Sequence, residues 1–266
     1  MKTHSKLFSL FLTAASLFGG TIGPTGYYYL VDGQDLWVIH GGTATSTHQI
    51  NGGEYGIAIV GSTIRTLGVL DGGPTGTAGA EYDLAGNSLN TQYPYPNGFS
   101  YMYDGTSDGT HNYINAYYGV YQFDTNWANP THMFAGPLNN TGITWDSTNN
   151  SLWLTGWSPG VVVDYSMTGV ILSSFHVATG LPAALALDTA DNTLWMFDRD
   201  RMDGTFYQYS KTGTLLQTVV YAAMDGRNLL GGEITGATVT QSPEPSTFAL
   251  AGLACILAVR RRSSRR

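Results

Sequence analysis

Charge is scarce in this chain, and positive charge is scarcest along most of its length. Lys and Arg number 12 against 19 Asp and Glu in 266 residues, and seven of the twelve lie at the ends: Lys2, Lys6, Arg260, Arg261, Arg262, Arg265 and Arg266. The five that remain (Arg65, Arg199, Arg201, Lys211, Arg227) cannot build the positive footprint that a phosphate backbone demands, which argues against nucleic acid as a partner. A single cysteine, Cys255, excludes any intrachain disulfide. The six histidines show no metal-ligand spacing. What is abundant instead is Gly (34) and Tyr (17). Gly is costly inside helices and aromatic side chains suit pleated surfaces, so strands and turns are expected with almost no helix in the main domain.

The most informative stretch is a passage repeated. Gly142–Phe175 contains GITWDSTNNSLWLT and then VVVDYSMTGVILSSF; Leu185–Val219 contains LALDTADNTLWMF and then TFYQYSKTGTLLQTV. Asp146 and Trp153 match Asp188 and Trp195 at a spacing of 42, whereas Tyr165, Gly169 and Leu172 match Tyr209, Gly213 and Leu216 at 44. The extra two residues fall in the intervening loop, which is where a structural repeat tolerates insertion. Four short apolar runs joined by polar turns, at this period, mark the blade of a β-propeller.

Fainter copies precede this pair. One begins at Gly56–Ile59, crosses a Gly-rich loop (Asp71–Ala80) and resumes at Tyr82–Leu89; another begins at Gly98, with Asp104 lying 42 residues before Asp146 and Tyr121–Asp124 lying 42 before Val163–Ser166. Near the start, Leu36-Trp37 resembles Leu152-Trp153 and Leu194-Trp195. The first unit, Tyr27–Gly53, is short of a strand, and Gly232–Val239 reads as a strand with no unit of its own. The two deficits fit if the C-terminal strand completes the N-terminal blade and closes a ring without exposed edges. The expectation is an all-β propeller of five blades, with four or six as alternatives. Trp153 and Trp195 should pack within blades, Asp146 and Asp188 should bond amides two residues on, and Gly169 and Gly213 should supply positive φ in hairpins.

Both ends carry addresses rather than fold. Residues 1–24 show two lysines, an apolar run from Leu7 to Phe18 and small residues after it, the zones of a secretory signal peptide. At the other end Ser242 opens the motif Pro243-Glu244-Pro245-Ser246-Thr247, followed by the apolar Phe248–Val259 and then Arg260, Arg261 and Arg262. This closely resembles the PEP-CTERM sorting signal of Gram-negative bacteria. The resemblance covers about the last 25 residues and implies export by the general secretion machinery, a short transmembrane helix, and recognition by an exosortase-type membrane protease cutting near Pro243 to Pro245. It also implies a destination at the cell surface or in the exopolysaccharide matrix, with the membrane a transient partner. Alone, Phe248–Val259 is shorter than the roughly 20 residues a spanning helix needs. The chain thus divides into a signal peptide (1–24), a propeller domain (25–241) and a sorting tail (242–266).

No catalytic constellation stands out within the domain. Asp198, Asp200 and Asp203 lie in a loop that is similar in composition to a calcium loop but has the wrong spacing and two intervening arginines; calcium is the one cofactor considered. Asp104 and Glu233 fall on or beside expected inner strands, where glycosidases place paired carboxylates, although nothing in the sequence brings them together. Aromatic residues in or near loops offer flat faces on which sugars could stack: Tyr93, Tyr95, Tyr103, Trp127 and Trp157 are the candidate ligand-binding residues. The repeated positions serve the blades, so function is expected where the copies diverge, at Gly156–Gly160 and Arg199–Gly204. These features point to a non-enzymatic surface or matrix protein binding polysaccharide or a surface protein, with an extracellular glycoside or lactone hydrolase as the alternative.

Overall fold

In the computed structural model, the described residues are 23–68, 77–96, 98, 99, 101–117, 119–137, 139–157 and 160–236. Residues 1–22, most of the Gly-rich loop expected over 71–80, and the tail 242–266 with its expected helix lie outside them. The described chain forms twenty strands in five four-stranded antiparallel sheets, the expected five blades. Blade 1 holds β1 (Tyr27–Val31), β2 (Asp35–His40) and β3 (Thr43–His48). Blade 2 holds β4 (Gly56–Val60), β5 (Thr63–Leu67), β6 (Thr77–Asp83) and β7 (Ser88–Pro94). Blade 3 holds β8 (Met102–Ser107), β9 (His111–Ala116), β10 (Gly119–Asp124) and β11 (Thr131–Phe134). Blade 4 holds β12 (Asn140–Asp146), β13 (Ser151–Gly156), β14 (Val161–Ser166) and β15 (Ile171–His176). Blade 5 holds β16 (Pro182–Asp188), β17 (Thr193–Asp198), β18 (Asp203–Ser210) and β19 (Leu215–Asp225). The last strand, β20 (Gly231–Thr235), returns to pair with β1 from Tyr27↔Thr235 to Val31↔Gly231 and becomes the innermost strand of blade 1. This pairing gives blade 1 its fourth strand and joins the two ends of the ring.

This closure shifts blade 1 by one strand relative to the others. Trp37 therefore lies on the third strand from the axis, whereas Trp153 and Trp195 lie on the second, so the Leu-Trp likeness at the start of the chain is not a positional match. A second shift concerns Asp104. The residue at the position of Asp146 is Asp108, which closes the β8–β9 turn through the amides of Thr110 and His111 (both 2.7 Å). The corresponding turn and the following loop of blade 4 are each two residues longer, so Asp104 and Asp146 share the 42 spacing without sharing a position, while β10 and β14 do align.

The residues repeated in blades 4 and 5 do what the strand pattern requires. Trp153 and Trp195 are 2 % and 1 % exposed. Thr148 and Ala190 donate their amides to Asp146 and Asp188 (both 3.0 Å), two residues back. Gly169 and Gly213 adopt φ of 83° and 85°. They are also the points where one blade touches the next: a Cβ on Gly169 would stand 2.6 Å from Phe134 Cβ, and one on Gly213 would stand 2.7 Å from Phe175 Cβ. Those phenylalanines, on the outer strands of the preceding blades, lie beside Tyr165 (5.3 Å) and Tyr209 (5.9 Å) between the sheets. The copies part at the tryptophan nitrogen. Trp153 Nε1 donates to Asp146 Oδ2 (3.1 Å), whereas Asp188 Oδ2 accepts from the Thr25 amide (2.7 Å) as the start of the chain docks on blade 5.

The inner strands meet around one carboxyl group. Asp104 is fully buried; its Oδ1 accepts the amides of Gly105 (2.8 Å) and Gly232 (2.9 Å), and its Oδ2 those of Ile143 (3.0 Å) and Leu185 (3.1 Å). Those donors belong to β8, β20, β12 and β16, in blades 3, 1, 4 and 5. The fifth inner strand, β4, presses against Gly105, where an added Cβ would lie 3.0 Å from the Ile57 carbonyl oxygen. Leu185 reaches Asp104 through a bulge in β16 that holds Ala184 at φ 50°, a left-handed conformation that costs about 1–2 kcal/mol in a residue bearing a Cβ. An unsatisfied buried donor costs about 1–3 kcal/mol, so four of them would offset most of a domain's usual stability of about 5–15 kcal/mol. Asp104→Ala is expected to abolish cooperative folding. Asp104→Asn keeps one acceptor oxygen but sets an amide group against two donors, and is expected to cost about 2–6 kcal/mol. Circular dichroism and urea melts check both, and a wild-type melt for Asp104→Ala would refute the assignment.

Candidate functional site

A propeller offers two ends of its axis, and here they differ chemically. The lower face is formed by the turns joining first to second and third to fourth strands. The upper face is formed by the turns joining second to third strands and by the connections between blades.

At the lower end, Glu233 on β20 faces a cavity of about 280 Å³ rimmed by Gly61, Ser107, Trp145, Ser147, Thr189 and Gly236. Its Oε2 is enclosed and has no hydrogen-bond partner among the described residues. Burial pushes its pKa well above the ordinary 4.5, opposed by the hydrogen bond of Thr106. A single carboxyl is available here. Asp104 is also on the axis, and its pKa is likewise raised by burial, with Glu233 adding to the rise, but both its oxygens are committed to amides. The two carboxylates considered from the sequence therefore do share the axis without forming an exposed pair.

The upper end is aromatic. Tyr103, on β8, is buried beside Ala183 and Leu230, with Tyr55, Tyr101 and Trp157 packed around them. Tyr101 stacks on Tyr103 at 6.2 Å, Trp157 stands edge-on to Tyr103 at 6.4 Å, and Tyr117, 51 % exposed, lies 5.5 Å from Tyr101. Tyr101 holds this place at φ 57°, a conformation rare for an aromatic residue and found where surrounding structure imposes it. Beyond Tyr117, a groove of about 220 Å³ runs past Gly136, Pro137, Asn139 and Asn140.

One cation joins this cluster. The Arg199 guanidinium lies 4.7 Å from the Trp157 ring centroid, and its Nε donates to Asn228 Oδ1 at 2.7 Å. Its Nη1 is enclosed without a partner. Burial lowers its pKa from the ordinary 12.5, opposed by Tyr103 and Tyr55. The two loops in which the repeats diverge, Gly156–Gly160 and Arg199–Gly204, thus meet at the Trp157–Arg199 contact.

The candidate aromatics separate into two groups. Tyr103 and Trp157 belong to this face. Tyr95, half-buried, packs instead beside Tyr93, Phe123 and Trp127 and donates its hydroxyl to the Phe99 carbonyl. Tyr93 and Trp127 are blade interior, 5 % and 3 % exposed, and do not reach the face. Tyr93 donates to Glu81, and Trp127, at φ 61°, folds its indole back to 5.7 Å from Phe123. The acidic loop is likewise occupied. Asp198 Oδ1 accepts from the Thr179 hydroxyl (2.6 Å) and the Asp200 amide (3.1 Å), its Oδ2 accepts from Tyr207 (3.0 Å), and Asp203 pairs with Arg201 at 2.8 Å. Among the described residues no three carboxylate, histidine or cysteine groups converge to hold a metal ion, and Asp198, Asp200 and Asp203 are directed to separate tasks. The divergent stretch beginning at Arg199 was legible in the sequence, whereas Tyr55 and Asn228, which lie on two other connections, have no shared spacing with it to betray them.

The state of Glu233 can be checked directly. A carboxyl with a raised folded pKa contributes stability that is complete below its unfolded value and lost as pH climbs through the folded one. Glu233→Gln is expected to match wild type near pH 4 and to exceed it increasingly above that, the gap widening by about 1.4 kcal/mol for each pH unit between the two values. Melts from pH 4 to 9 measure it; a gap independent of pH would show that Glu233 is ionised in the fold.

No protein-family model and no curated protein sequence matches the chain. Solved structures do. A chain of the nidogen/laminin complex superposes with a TM-score of 0.53 at 12 % identity, over 78 % of this chain and 97 % of that one. Virginiamycin B lyase from Staphylococcus aureus gives 0.42 at 17 % identity over 66 % and 58 %, and a streptogramin B lyase 0.43 at 16 % over 78 % and 73 %. At 12 % identity the likeness to the first is one of fold, and the five sheets make the chain a five-bladed β-propeller.

Proposed function

We propose that this protein is an exported, non-enzymatic binding protein of the cell surface or extracellular matrix, whose ligand docks on the upper axial face. The observation that carries the reading is the convergence of Tyr55, Tyr101, Tyr103, Tyr117 and Trp157, drawn from four blade connections and turns and strand β8, around one end of the axis. Partly exposed rings with hydroxyls at their rims suit sugar faces and sugar hydroxyls together, which favours a polysaccharide over a surface protein as partner. The lower cavity motivates a second reading. Glu233, whose carboxyl is pushed toward the protonated form by burial, has the character of a general acid in a glycoside or lactone hydrolase. That chemistry requires a second carboxylate, roughly 5–10 Å away, free to act as nucleophile or base, and Asp104 is spent on four amides. Binding is therefore the better-supported function.

The ends of the chain supply the route. The tail, resembling a PEP-CTERM signal, would bring the secretion machinery and an exosortase-type protease as partners. Replacing Pro243-Glu244-Pro245 by three alanines in the native host is expected to leave an unprocessed, membrane-retained product, visible on immunoblots of cell fractions. Unchanged processing would remove the sorting assignment.

Trp157→Ala tests the binding face. Stacking on an aromatic ring contributes about 1 kcal/mol or more, so at least a roughly fivefold loss of affinity is expected on a glycan array, with the melting temperature little changed because Trp157 is only partly buried. A blank array together with a blank matrix pull-down for the wild-type protein would overturn this function.

A further inference from the structure

We infer that the ligand of the upper face carries a carboxylate, and that Arg199 receives it: the ligand class is a glycan with isolated uronate residues among neutral sugars. The inference rests on the sugar-binding reading above and narrows it.

The argument begins with the other cations. Arg65 pairs with Glu81 (3.1 Å), Lys211 with Asp146 (2.5 Å), Arg201 with Asp203 (2.8 Å), and Arg227 with both Asp32 (3.2 Å) and Asp35 (3.0 Å). Of the five basic residues within the propeller, Arg199 alone has no carboxylate in ion-pair range among the described residues. Its neighbours in sequence do not serve, because Asp198 is turned inward to Thr179, Tyr207 and its own loop, and Asp200 forms no ion pair with it. A half-buried guanidinium held by one amide oxygen and an indole face, with Nη1 enclosed and idle, is a cation whose compensating anion is not supplied by the fold. The missing group is an anion, and a carboxylate meets a guanidinium through a short, charge-assisted hydrogen bond. The surrounding tyrosines and Trp157 supply ring faces for the sugar to which that carboxylate is attached.

Charge also sets the density of carboxylates that the ligand can carry. Residues 25–241 hold eighteen acidic side chains against five basic ones, so the general field repels a polyanion. One carboxylate at Arg199 gains a specific partner; closely spaced neighbours gain only repulsion. An alternating uronate–neutral polymer is therefore preferred to a continuous polyuronate.

The test is a set of titrations of the purified protein at fixed ionic strength with four probes: a hyaluronan hexasaccharide, its carboxyl methyl ester, an oligogalacturonate of equal length, and oligoglutamate. Wild type, Arg199→Gln, Arg199→Lys and the exposed control Arg201→Gln are compared, with melting curves to confirm folding. The expected result is binding of the hexasaccharide at least tenfold tighter than its ester and tighter than the oligogalacturonate. That preference is lost in Arg199→Gln, partly kept in Arg199→Lys and unchanged in Arg201→Gln. The acid-versus-ester comparison on wild type stands even if a variant fails to fold. Equal binding of acid and ester, or a preference that survives Arg199→Gln or vanishes in Arg201→Gln, overturns the role of Arg199 while leaving sugar binding intact. Oligogalacturonate binding as tight as the hexasaccharide overturns the spacing argument, and oligoglutamate binding as tight overturns the sugar class. Binding to none of the four overturns the uronate inference; the broader reading then falls only if the neutral sugars of the array are blank as well.

Discussion

Four of the five inner strands donate to the Asp104 carboxyl, and the ring is held in its observed form by that shared acceptor. Backbone amides on the inner edge of an innermost strand have no strand to pair with, since the axis is where the sheets stop. Four of them find one acceptor: Gly105, Gly232, Ile143 and Leu185, each from a different blade. The same need recurs one layer further down, where Thr106 Oγ1 accepts the Trp145 amide and Thr144 Oγ1 accepts that of Leu187, both at about 3 Å and both from one blade to the next. Side-chain oxygens thus replace the missing strand. A central carboxyl serves four blades where a hydroxyl serves one.

This arrangement separates tasks that share a chain. Outer positions carry the repeat: tryptophan in the second strand, tyrosine in the third, and glycine in the hairpin that receives the phenylalanine of the blade before it. Inner positions differ from blade to blade because each contacts the axis at a different place. The upper loops differ most, since no neighbouring blade dictates their side chains. Trp157 and Arg199, in adjacent blades, come together there, as Arg227 and Trp37 do where blade 5 meets blade 1.

The division also accounts for what could be read from the sequence. Positions governed by local rules were legible: buried tryptophans on an alternating strand, aspartates bonding amides two residues on, glycines with positive φ, and a stray final strand matching a short first blade. Positions governed by the ring were not. The 42 spacing from Asp104 to Asp146 is a coincidence, since the true counterpart of Asp146 is Asp108 and the register reaches 42 only after a turn and a loop that each changed by two residues; pairing between strands reveals it. Whether a loop aromatic packs at the axial face like Trp157 or inside a blade like Trp127 is decided by which neighbouring blade it meets, which composition does not encode. Arg199 lies between two aspartates in sequence and looks paired; its isolation appears only when Asp198 is seen bonded to Thr179 and Tyr207.

The described chain begins and finishes on one side of the disc. Gly23 and Thr25 lie against Tyr221 and Asp188, while Gly236 rims the cavity beneath Glu233, so both ends emerge at the lower face. A tether running through either end would join the ring at its lower face. A molecule held in this way stands with the Glu233 cavity toward its anchor and the Arg199 face toward the surroundings. Attachment would then leave the aromatic surface unobstructed, and would make the lower cavity the harder of the two for a large polymer to reach.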